Sequence, residues 1–288
     1  MENEELIKSV LGNDAHVVKQ IIGGMMNESY LVQSHGKHYI WYVPTVHANE
    51  MVNRYLERDN HTIIYNLGLT SRNVYFDPDT GVKINEYIDG TPLDKIDPSE
   101  IDLNRVAGVI KYLHNSTIKC QDDYMPFRRL LAYERESNRF IKKRSADYIK
   151  IREFLFANRE YLESQELCLC HNDAQRSNII RENKTGQYFI IDFEFVGNND
   201  PIYDIAAYGN NDVEEGRKLL HAYFGGRETR DEIKRYYLWR VFISLQWHNV
   251  ALIKDYRGEG RAMKFDFKKV ADYFMTNAKE AYNHLSKK

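Results

Sequence analysis

The stretch Leu169-Cys170-His171-Asn172-Asp173-Ala174-Gln175-Arg176-Ser177-Asn178 is followed, fourteen residues after Asn178, by Asp192 in Ile190-Ile191-Asp192-Phe193-Glu194-Phe195. Three short β-like runs frame these residues: Leu167 to Cys170, Asn178 to Arg181 and Gln187 to Ile191, the last two joined as a hairpin by Asn183-Lys184-Thr185-Gly186. An apolar run thus enters the loop, and another delivers Asp192. Carboxylates and an amide fixed at strand ends suit phosphoryl transfer, which depends mostly on positioning and electrostatics. Asp173 is expected to orient an acceptor hydroxyl and take its proton, while Asn178 and Asp192 are expected to hold magnesium against phosphates. No nucleophile or second histidine accompanies His171, so it is expected to be structural and to hydrogen-bond the loop.

Upstream, β-rich runs at Ala15 to Ile22, Ser29 to Gln33 and Lys37 to Val43 read as a meander, followed by a helix from Val46 to Tyr65. Two further runs, Asn73 to Phe76 and Val82 to Ile88, flank the turn Asp77-Pro78-Asp79-Thr80-Gly81. Asp89 to Pro98, with Gly90, Pro92 and Pro98, reads as a linker. Helical periodicity then covers roughly 99–119, 127–141, 145–164, 212–224, 229–254 and 266–285, and Asp200-Pro201 supplies an N-cap and first-turn proline for one more helix. The expected class is α+β in two lobes, an N-terminal antiparallel-sheet lobe at residues 1–90 and a mainly helical lobe at 91–288.

His171 to Tyr208 resembles the choline/ethanolamine kinase family, within the wider aminoglycoside-phosphotransferase-like group. The resemblance rests on His171-Asn172-Asp173, Gln175, Asn178, Asp192 to Phe195, and Asn199-Asp200-Pro201-Ile202-Tyr203-Asp204-Ile205-Ala206-Ala207. It implies a protein-kinase-like fold, ATP and Mg2+ as cofactors, and a small-molecule alcohol, an amine such as choline or ethanolamine, as acceptor. It also implies catalytic roles for Asp173, Gln175, Asn178 and Asp192, with Asp204 bracing the catalytic loop from below. Gly23-Gly24-Met25-Met26-Asn27 resembles the family's phosphate loop, in which glycines let backbone N–H groups approach phosphate oxygens. Arg54 and Glu57 match the family's helix positions, and Glu86-Tyr87-Ile88 resembles the hinge strand whose backbone meets adenine. An acceptor pocket is implied around Glu194, Trp239, Trp247 and Tyr256, where aromatic faces and a carboxylate would recognise an ammonium.

The chain departs from the family pattern at three places. Tyr42 stands where a Lys or Arg should hold the α and β phosphates, and a phenol cannot replace a point charge. Lys37 or Arg54 could substitute, magnesium and the glycine loop could suffice, or the protein could be a pseudokinase that binds ligand without transfer. Val250 replaces the second tryptophan of a Trp-x-x-Trp element, and Asn211 falls where a glutamate is usual. These two changes leave an aminoglycoside, sugar or vitamin alcohol open as the acceptor.

The 288 residues carry 40 Lys and Arg against 42 Asp and Glu, so no strong field draws the molecule to nucleic acid or to an anionic membrane. Three cysteines without C-x-x-C spacing argue against a disulfide framework or a zinc site. With neither a leader-like N-terminus nor a long apolar run, a cytoplasmic protein without membrane insertion is expected.

Overall fold

The computed structural model describes residues 2–22, 24–45, 47–260 and 266–286. Two compact units emerge, the first formed by residues 1–95 with 178–195 and the second by 96–177 with 196–288. The segment 178–195, which a single cut near residue 90 would leave with the helical part, therefore packs with the sheet.

The first unit is built on an antiparallel sheet of order β1-β2-β3-β5-β4: β1 His16–Ile21, β2 Asn27–Ser34, β3 Lys37–Pro44, β4 Asn73–Phe76 and β5 Lys83–Glu86. Helix α1, Glu2–Leu11, sends Ile7 into a core with Ala15, Val32, Trp41 and Ile84. Helix α2, Arg54–Asn66, starts eight residues later than expected because the Asn53 side chain accepts from the Leu56 N–H and sets the N-cap. A separate 3-10 turn, Ala48–Glu50, precedes it.

The expected linker is partly a strand. Gly90–Pro92 forms β6 and pairs with β8, Ile179–Glu182, which pairs in turn with β9, Tyr188–Ile190. A three-residue strand containing Gly and Pro carries no β signature of its own. Gly90 is required there, since a Cβ would lie 2.6 Å from the Arg181 carbonyl oxygen.

In the second unit, β7, Cys168–Cys170, pairs with β10, Gly197–Asn199. The helices are α3 Leu103–His114, α4 Pro126–Ser137, α5 Ala146–Ala157, α6 Arg159–Glu163, α7 Pro201–Tyr208, α8 Val213–Phe224, α9 Arg230–Tyr256 and α10 Phe267–Ser286. A Thr229/Glu232 capping box starts α9, and every residue from Tyr236 to Trp247 is buried. A helix covered on all sides is the spine of this unit. Two of its polar residues are bonded inside: Arg240 donates to the Ala206 and Asn210 carbonyl oxygens, and Asn249 to the Tyr148 hydroxyl. Among the described residues, no helix is long and apolar enough to cross a membrane.

Candidate active site

In the first unit, the β3–β5 register places Tyr42 opposite Lys83. Directly opposed residues share a face of the sheet, and the Lys83 ammonium lies 4.8 Å from the centre of the Tyr42 ring. Lys83 is buried, bonded to Glu57 on α2, with Asp192 Oδ1 at 3.7 Å and Glu194 Oε1 at 3.9 Å. Arg54 donates to Glu57 Oε2 at 2.7 Å and to Glu194 Oε1 at 3.0 Å, and its Nε bonds Asn49 at 2.8 Å. Asn27, at the start of β2, donates its amide to Glu194. Burial works against the charge on Lys83, but Glu57, Glu194 and Asp192 more than offset it and raise its pKa.

Two cations thus face three carboxylates, Glu57, Glu194 and Asp192. The surplus negative charge shows at Asp192, whose pKa burial and the Glu194 carboxylate push up to about 7 against the pull of Lys83. Its Oδ1 accepts no hydrogen bond, and its backbone sits in the left-handed region at φ 70°. That conformation is costly for a residue other than glycine and turns the chain sharply at the end of β9. The Ile191 N–H donates to the Asn178 carbonyl at 2.9 Å, so Asn178 and Asp192 meet at one corner of the β8–β9 hairpin. An orphaned carboxylate oxygen, an amide side chain and an excess of negative charge fit a hard divalent cation such as Mg2+.

In the second unit, β7 ends in the loop that carries Asp173. Asp204, on the first turn of α7, accepts from the backbone N–H groups of His171 at 2.8 Å and Asn172 at 2.7 Å. His114 of α3 bridges Asp204 at 3.0 Å and the Tyr223 hydroxyl at 2.9 Å. Asn172, at φ 62°, accepts from the Asn199 amide at 2.7 Å. The Asp173 N–H faces His171 Nδ1 at 3.2 Å, and the Gln175 amide donates to Asp173 Oδ2 at 3.1 Å, fixing the carboxylate's rotamer. The His114 bonds hold Asp204 in place, and each of the others ends on the loop that bears Asp173.

The remaining expected site residues scatter. Gly24 lies between β1 and β2 at φ 78°, a conformation that favours glycine, whereas Gly23 lies outside the described residues. The N–H groups of Glu86 and Tyr87 are engaged by the Arg72 and His38 carbonyls, and Ile88 follows where β5 has ended. Glu194 is committed to Arg54 and Asn27 inside the first unit. Trp239 is a core residue whose N–H donates to Asp200 at 2.7 Å, Trp247 is buried, and Tyr256 is exposed and stacks on Phe140 at 4.1 Å. These three aromatics occupy successive stretches of α9 and do not converge.

Sequence reasoning missed Lys83. Its signal was the pairing of β3 with β5, which only the sheet order supplies because β4 intervenes in the chain. Asn199, quoted in the sequence only as part of the resemblance, was given no role, because it sits on a strand too short to be anticipated.

A family model described as choline/ethanolamine kinase matches residues 18–214. Protein LicA of Haemophilus influenzae is 28% identical over 193 residues, which cover 64% of this chain and 55% of that protein. The chain thus spans little more than half the length of that curated relative. The crystal structure of choline kinase LicA from Streptococcus pneumoniae superposes with a TM-score of 0.80 at 25% identity, over 100% of this chain and 98% of that one. A crystal structure of LicA in complex with AMP gives 0.78 at 25% identity, over 99% and 97% of the two chains. The expected α+β, protein-kinase-like fold is therefore the one observed.

Proposed function

We propose that this chain, which belongs to the choline/ethanolamine kinase family, transfers the γ-phosphoryl group of ATP to the hydroxyl of a small amino alcohol such as choline or ethanolamine. One observation carries the proposal: the buried cluster of Lys83, Arg54, Glu57 and Glu194, with the half-buried Asp192 beside it, is one positive charge short. Such a cluster is poorly suited to stabilising the fold alone, since a buried carboxylate left without a full partner costs stability. It is well suited to receiving a cation with its phosphates.

The residues divide the work. Asn178 and Asp192 would hold Mg2+, which when bound neutralises charge on the phosphate oxygens. Gly24 and Asn27 flank the loop whose backbone would cover the phosphates, and the Ile88 N–H and Glu86 carbonyl would meet the adenine edge. Asp173, its orientation set by Gln175, would accept a hydrogen bond from the acceptor hydroxyl and take its proton as the bond to phosphorus forms. Asp204 and His171 keep that carboxylate's loop in place. A choline or ethanolamine acceptor is supported by the choline kinase named among the similar structures and by the family description, and nucleotide use by the complex with AMP. The motive for a pseudokinase was the lack of a buried cation at Tyr42, and Lys83 lies beside that very ring.

The test is an acceptor panel of choline, ethanolamine, an aminoglycoside and a simple sugar, scored by Mg2+-dependent ADP release. The expected result is turnover with an amino alcohol that Asp173→Asn lowers by at least about 1,000-fold. Turnover confined to the aminoglycoside or sugar would move the acceptor class. ADP release no faster than the acceptor-free background across the whole panel would refute the kinase.

A further inference from the structure

The register of the five-stranded sheet supports a second step, which rests on the ATP-dependent transfer proposed above. We propose that Lys83, reaching in from β5, is the cation that contacts the ATP phosphates, having exchanged places with an aromatic residue on β3. Tyr42 occupies the β3 position where a basic residue is expected, and Lys83 is its cross-strand partner. Cβ atoms of such a pair lie about 5 Å apart on one face. A charge on a flexible four-carbon stem can therefore be brought to nearly the same point from either strand.

Three contacts show that Lys83 makes the connections a β3 cation would make. Its ammonium bonds Glu57, and in kinase folds a strand lysine at the phosphates pairs with a helix glutamate in this way. It lies over the Tyr42 ring, so the position vacated by a charge is filled by a π face that a cation favours. It also stands 3.7 Å from Asp192, at the corner where the metal ligands meet.

The other cations are placed differently. Lys37 begins β3 and is exposed, five residues from Tyr42, which amounts to roughly 17 Å of extended strand. Arg54 is held by Asn49, Glu57 and Glu194. Gly81 also packs so closely that a Cβ there would meet Arg54 Nε at 2.6 Å. Arg54 therefore braces the two glutamates, and Lys83 is the ammonium within the cluster that faces Asp192.

The first experiment uses the unaltered protein and an acyl phosphate of ATP, a reagent in which a lysine amine near the phosphates attacks the acyl carbon. An amide bond forms, the acyl–phosphate bond breaks, ATP leaves and the amine's proton passes to solvent. Peptide mapping is expected to place the acyl group on Lys83, with labelling reduced at least tenfold by excess Mg2+·ATP. Labelling of a different lysine with Lys83 unmodified would overturn the proposal, as would the absence of any ATP-protected label.

The second experiment measures kcat/KM for ATP. Lys83→Met is expected to lose at least 100-fold, and Tyr42→Lys added to it is expected to recover at least tenfold by returning the charge to β3. A Lys83→Met enzyme within twofold of the parent would refute the exchange. Circular dichroism establishes that each variant is folded. Where Lys83→Met does not fold, the labelling of the parent protein decides alone. If Lys83 is labelled while no acceptor in the panel is phosphorylated, the phosphate contact stands and the proposed transfer falls.

Discussion

At the scale of single residues, the polar interior of the first unit makes its stability sensitive to pH. His61 of α2 is buried against the Phe193 ring, its Nε2 has no hydrogen-bond partner, and burial followed by the nearby Lys83 charge depresses its pKa from 6.5 to about 4. The unfolded chain therefore binds a proton between those values that the folded chain refuses. The contribution is present above pH 6.5 and is lost as pH falls towards 4. Between pH 7 and pH 5 this imidazole is expected to cost about 2 kcal/mol of unfolding free energy. Asp192 acts in the opposite sense: its raised pKa removes stability as pH rises from 3.8 towards about 7. Urea unfolding of the parent and of His61→Gln at both pH values separates the two, because the histidine's share is the part that disappears in the variant. Asp173 and Asp192 are legible in the sequence as candidates because each follows an apolar run in a fixed local spacing. Lys83 could not, because its function depends on Tyr42 and Glu57, brought to it by strand pairing and by helix packing. Trp239 illustrates a related point: an aromatic on a helix has the same appearance in sequence whether it faces a ligand or, like Trp239, is buried with its N–H on Asp200.

Among the elements, local signals were legible where they repeat over several turns. Helices α8, α9 and α10 begin and end within two residues of their expected limits. The single helix expected over 145–164 is two, α5 and α6, broken at Asn158. Strands β6 and β10, of three residues each, have no room for an alternating pattern. The turn from α7 to α8 is a packing device that periodicity does not reveal. Gly209 ends α7 facing Gly216, and the Tyr236 hydroxyl, which donates to the Val213 carbonyl at 2.7 Å, closes the gap. A Cβ on Gly209 would lie 2.5 Å from that hydroxyl oxygen. Gly209→Ala is expected to destabilise the protein by about 1–3 kcal/mol through overpacking. Tyr236→Phe should return part of that loss in the Gly209→Ala background, although by itself it is destabilising. Chemical denaturation of the four proteins in a double-mutant cycle checks the sign of this coupling.

For the whole molecule, near-neutral charge leaves binding to local fields such as that of the cluster around Asp192. A ligand that completes this cluster should stabilise the folded state by mass action. Mg2+·ATP at 100 times its Kd is expected to add about 2.7 kcal/mol to the unfolding free energy. Chelation of the metal should remove most of that gain, as differential scanning calorimetry with and without EDTA would show. Residues 178–195 return to the first unit from the far side of a long excursion through the second, which has a bearing on synthesis. The leading 95 residues emerge from the ribosome without the strands that follow Ser177, and at about 5–20 residues per second they wait roughly 5–20 s for Phe195. Throughout that interval Lys83, Arg54 and Glu57 lack Glu194 and Asp192 and keep their water, and the nascent chain cannot yet assemble the complete charge cluster.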